Sequence, residues 1–189
     1  MAEEFLSDRK RALEEEFFRR QENALLNQLR AAQAKESAQE ALAAATGIRD
    51  STVLHKLSTL GITSDTLLAL GLVPLVAIAW ADGSLDDKER HAIVTSLGAA
   101  GIVANSPAGQ LVQGWLSNPP PASMLEAWSS YTSALAAELS PTERNHLRDS
   151  VLGRARAVAE AAGGFLGFGK RVSQAEAELL QKLERVFGE

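Results

Sequence analysis

The chain has 189 residues, enough for one domain with an extension and for a real hydrophobic core. Nearly half of it is apolar, alanine and leucine supply most of that share, and aromatics make up 5%, a mix that favours helices. A net charge of −5 argues against nucleic-acid binding, which asks for a basic face, and the lack of cysteine excludes disulfides, thiolate metal sites and cysteine nucleophiles together.

From Glu3 to about Ala45 neither proline nor glycine interrupts the chain. Leu6, Leu13, Phe17 and Ala24 form one stripe at helical spacing, beside a second made by Phe18, Leu25 and Leu29. A continuous helix over this stretch would be roughly 65 Å long, with Gly47 as its stop. Its second half, AAQAKESAQEALAAA, has few large apolar groups to bury and is expected to project or to pack lightly. Two readings stay open: the arm packs on its own domain or a copy of itself, or its amphipathic front docks into a groove on another protein. Leu6, Leu13, Phe17, Phe18, Leu25 and Leu29 are the candidate partner-binding residues. Glu14, Glu15 and Glu16 would be repelled by anionic lipid, which disfavours a membrane-surface role. The opening MAEEFLSDRKRALEEEFF lacks the charged start and apolar run of a secretory signal, so the cytoplasm is the default compartment.

A short helix is expected over Ser51–Leu60, ended by Gly61. Thr63 or Ser64 then starts a helix through Leu67, Leu68, Leu70, Leu72, Leu75, Val76, Ile78, Ala79 and Trp80, apolar on nearly every face and so the expected centre of an all-α domain. The run Thr66–Ala81 is too short to span a bilayer. Pro74 either kinks this helix or marks the first turn of a fresh one near Val73. Four later starts carry the capping-box pattern: Asp86 with Glu89, Ser123 with Glu126, Ser140 with Glu143, and Ser173 with Glu176. Helices follow at about 86–99, 107–117, 123–138, 141–162 and 173–187, and no strand is expected. Asn118-Pro119-Pro120-Pro121 is a stiff linker, too short to separate domains. The organisation is thus an arm over 1–47 and an all-helical domain over 50–189.

The turn DGSLDDKE matches the second half of a calcium-binding EF-hand loop through Asp82, Gly83, Leu85, Asp86 and Glu89. Ile78 and Trp80 stand where the first ligands belong, so a standard EF-hand is not expected. One reading is a helix corner, in which Gly83 relaxes the backbone, Asp86 and Glu89 cap the next helix and Leu85 plugs into the core. The other is a divalent-cation site, where Asp82, Glu89 and Asp86 are joined by carboxylates from elsewhere, Glu176 or Glu160. The C-terminal stretch repeats helix, glycine turn, capping box and helix, with Gly163-Gly164 in place of Asp82-Gly83 and Ser173…Glu176 in place of Asp86…Glu89.

A helix ending in AWADGSLDDKER, with a second pair ending in AEAAGG…VSQAE and LLQKLERVF, resembles the TerB-like domain of tellurite-resistance proteins over roughly Leu67–Phe187. The resemblance implies a TerB-like helical bundle that acts as an interaction or scaffolding element in stress-linked systems, with an acidic metal-binding patch at the turns. Asp82 and Glu89 match that patch, Glu176 matches weakly, and the second Asp-Gly is Gly163-Gly164 here. Separately, Phe5–Phe18 is similar to the opening helix of the zeta-type inhibitor of bacterial ATP synthases, which implies a third reading as inhibitor of a larger machine.

No enzyme signature stands. Gly164–Lys170 approaches the phosphate-loop pattern, but Arg171 replaces the required hydroxyl and the glycines follow a helix instead of a strand. Its Phe165, Leu166 and Phe168 are expected to cover the core or to meet a partner. His55, His91 and His146 lack metal-ligand spacing, and Trp80, Trp115 and Trp128 read as packing residues. No catalytic residue is assigned, and a divalent cation is the one candidate cofactor.

Overall fold

The computed structural model describes residues 2–162 and 172–188, with side chains from Arg19 to Ala161 (Glu22 excepted) and from Val172 to Gly188. All regular structure among them is helical: α1 (Ala2–Thr46), α2 (Ser51–Thr59), a 3-10 segment (Leu67–Leu72), α3 (Val73–Ala79), α4 (Asp87–Ala99), α5 (Pro107–Ser117), α6 (Ala122–Glu138), α7 (Pro141–Ala162) and α8 (Gln174–Arg185). The expected hairpin of Phe165, Leu166 and Phe168, with Gly163-Gly164 and Lys170, lies outside the described residues.

Two compact units emerge, Met1–Glu40 and Ala41–Glu189. The boundary lies inside α1, earlier than the expected break near 47–50. Leu42 explains the shift: it is fully buried and belongs to the core of the second unit, so the last turn of α1 is part of that unit. Gly47, at φ 73°, then closes the helix by donating its N–H to the Ala43 carbonyl.

Within the second unit α3 is the hub. Six of its seven residues are buried, and it packs against α4, α6, α7 and α8. A helix apolar on all sides finds neighbours on all sides. The preceding stretch departs from expectation, since no α-helix runs from Thr63. Pro74 is the reason: having no N–H, it cannot bond the Leu70 carbonyl four residues back. That carbonyl accepts instead from Val73, three residues on, which tightens Leu67–Leu72 into 3-10 geometry and starts α3 afresh.

Three of the four capping boxes form. Asp86/Glu89 and Ser173/Glu176 satisfy both backbone donors reciprocally, and Ser140/Glu143 does the same ahead of Pro141. The Ser140 hydroxyl and N–H hold the Glu143 carboxyl below its ordinary range. Ser123/Glu126 does not form. Pro121, extended at ψ 147°, is the residue that precedes α6, so the helix starts at Ala122 and Ser123 already lies inside it.

The tryptophans pack as expected. Trp115 and Trp128 are buried, Trp80 donates its indole N–H to the Trp115 carbonyl at 2.9 Å, and Trp128 meets Phe187 edge to face at 6.3 Å. Gly109 lets α5 approach the preceding loop closely, for a Cβ there would stand 2.3 Å from the Val103 carbonyl oxygen.

Candidate functional site

At the acidic corner the chain leaves α3 at Trp80 and must turn within six residues to start α4 after Asp86. Gly83 adopts φ 92°, a left-handed value that suits glycine, and donates to the Trp80 carbonyl at 3.0 Å. Asp82 accepts from the Ser84 N–H and hydroxyl at 3.0 and 3.1 Å, a local turn that ties the loop down. Leu85 is half-buried against the core. Asp86 Oδ1 accepts from the N–H groups of Lys88 and Glu89, both at 2.8 Å, and Glu89 Oε2 reaches back to the Asp86 N–H at 2.9 Å.

The echo in the second half is real at this level. Ser173 and Glu176 exchange the same pair of bonds at the start of α8, at 2.5 and 3.2 Å. Glu89 and Glu176 are 5% and 6% exposed, which makes them, with Thr132, the buried polar residues among those described. Burial pushes the Glu89 carboxyl up to about 7, with the Asp86 N–H opposing and the charges of Asp86, Glu176 and Asp82 adding to the rise. The two helix starts therefore feel one another electrostatically.

Asp82, Asp86, Glu89 and Glu176 share a negative field, yet each already holds a backbone donor of its own corner. Among the described residues no three histidine, aspartate or glutamate groups come together in an arrangement that could hold a metal ion. Glu160 is exposed on α7. Among the described residues no buried side-chain nitrogen or oxygen lacks a partner. His55, His91 and His146 are all exposed, on α2, α4 and α7. One concavity among the described residues is an open depression of about 490 Å³ bordered by Ala81, Leu179, Lys182 and Arg185.

On α1 every described side chain from Arg19 to Ser37 is exposed. Leu25 and Leu29 are 57% and 54% exposed, and Leu26, which spacing alone did not single out, joins them at 42%. The side chains of Leu6, Leu13, Phe17 and Phe18 lie outside the described residues. Among the described residues three other large apolar side chains are exposed, Leu68, Val94 and Val103. Leu68 stands in a run that reads as core in sequence, yet on the 3-10 turn it is exposed while Ala69, Leu70 and Leu72 are buried. No helix among the described residues is long and apolar enough to cross a membrane.

Comparison with protein-family models, with curated proteins and with solved structures returns no match for this chain.

Proposed function

We propose that this chain is a non-enzymatic, TerB-like interaction or scaffolding module whose long N-terminal helix docks on a protein partner or on another copy. One observation carries the reading: α1 presents Leu25, Leu26 and Leu29 to solvent over a stretch in which no described side chain is buried. Exposed leucines clustered on one helix mark a contact surface more often than a solvated face. The non-enzymatic part rests on the exposed histidines and on the satisfied buried polar groups among the described residues. Stress-linked scaffolding rests on the TerB resemblance alone.

Removal of residues 2–40 tests the reading. The cut must stop there, because Leu42 belongs to the core of the remaining unit. The shortened protein is expected to keep its helical circular dichroism and cooperative unfolding while losing self-association and affinity capture of partners. Unchanged capture together with an unchanged oligomeric state would sink the docking arm.

A second reading, a divalent-cation site at Asp82, Asp86, Glu89 and Glu176, has the shared negative field in its favour and the lack of a three-ligand set among the described residues against it. The inhibitor reading depends on Phe5–Phe18, whose side chains the structure does not describe.

A further inference from the structure

We propose that the trough along the α7–α8 seam is a docking surface for an acidic segment of a partner protein, whose carboxylates are received by the guanidinium groups of Arg144, Arg148 and Arg156. This surface lies on the second unit and goes beyond the arm, so it stands or falls apart from the docking-arm reading. Two depressions, of about 140 and 390 Å³, share Arg148 and Glu184 and so adjoin. The first is bordered by Arg144, Asn145 and Phe187, the second by Asp149, Gly153 and Arg156. All three arginines stand on α7, while Glu184 lies on α8 and Phe187 just past its end. Four residues of helix set Arg144 and Arg148 about 6 Å apart along the axis, and Arg156 follows about 12 Å further on.

The guanidinium heads are available to a ligand. Arg144 donates through Nε to the Ala136 carbonyl at 3.0 Å, and Arg148 through Nε to Asp149 at 3.1 Å. Arg156 forms no hydrogen bond or ion pair among the described residues, and the terminal amino groups of all three have no acceptor there. Arg144 and Arg148 are half-buried, so their heads are already partly stripped of water and gain more from an anion than a fully solvated cation would. Each meets a carboxylate end-on, through two parallel N–H groups. Asp149 and Glu184 decide which anion fits. A nucleic-acid backbone is negative at every step and would be held against both of them, whereas a protein segment can set acidic residues beside the arginines and neutral ones beside Glu184.

Fluorescence anisotropy on the full-length protein tests this with a labelled peptide in which glutamate alternates with alanine. The wild type should bind it with roughly millimolar affinity or tighter, and less well as salt is added. Arg148→Ala with Arg156→Ala should weaken binding roughly fivefold or more. Arg154→Ala is the control for net charge. Arg154 stands on the same helix, donates to the Ser150 carbonyl and borders neither depression, so its loss should change binding by less than about twofold. Glu184→Gln, at an exposed position, removes the opposing carboxylate and should tighten binding roughly twofold. It also keeps the proposal open to refutation should the double variant lose its helical circular dichroism. A loss in Arg154→Ala equal to that in the double variant overturns the proposal, because binding would then follow net charge alone. So does a Glu184→Gln protein that binds no tighter, a single-stranded oligonucleotide bound as tightly as the peptide, or a wild type that leaves the peptide free.

Discussion

Among the described residues Glu89 is the carboxylate whose protonation burial and charge shift most. Its carboxyl is held at about 7 against an ordinary 4.5, chiefly by burial. A raised carboxylate pKa means that the folded chain holds a proton the unfolded chain has already released between about pH 4.5 and 7. Below that window both states are protonated and the group is neutral to folding. Through it, stability falls as pH rises, and above it the ionised, buried carboxylate leaves a cost on the order of 3 kcal/mol. Glu89→Gln keeps an acceptor for the Asp86 N–H and removes the charge. Denaturant unfolding at pH 5 and pH 8 should show the variant gaining on wild type by roughly 1–3 kcal/mol at pH 8 relative to pH 5, whereas a constant difference at both would contradict the shift. The burial of Glu89 and Glu176 was not legible in the sequence, because a capping box fixes which backbone donors a glutamate meets and leaves open whether the helix start faces water. Asp82 has a comparable lesson. No helix cap requires it, and its bonds to Ser84 close the turn.

At the scale of elements, backbone chemistry decided most of what could be read in advance. Helix starts at Asp86, Ser140 and Ser173, stops at Gly47 and Gly61, and the absence of strands among the described residues all follow from local signals. The exceptions lie beside prolines. Pro74 converts an apparently continuous apolar helix into a 3-10 turn and a short α3, and Pro121 displaces the start of α6 so that Ser123 caps nothing. Those two serines give a paired test. Ser173→Ala removes a side chain that accepts from the Glu176 N–H and should cost about 1 kcal/mol, while Ser123→Ala, on an exposed position inside a helix, should cost nothing or stabilise slightly. Equal effects in chemical denaturation would mean that the α8 cap contributes no more than an ordinary surface serine.

For the whole molecule, an all-α fold was readable because periodicity, composition and caps agreed, and the place of α3 at its centre followed from apolar residues on every face. The exposure of large apolar residues was readable only in part. Leu25 and Leu29 lie on a predicted stripe, but Leu26, Leu68, Val94 and Val103 are exposed for reasons that depend on how elements meet, which spacing does not encode. The central claim, that the leucine face of α1 is a docking surface, is tested most directly by hydrogen–deuterium exchange of the amides between Arg19 and Ser37. In concentrated full-length protein these amides should exchange slowly, and in Leu25→Asp/Leu29→Asp they should exchange at the rate of a frayed, isolated helix. Exchange equally fast in both proteins, or equally slow in both, would contradict it.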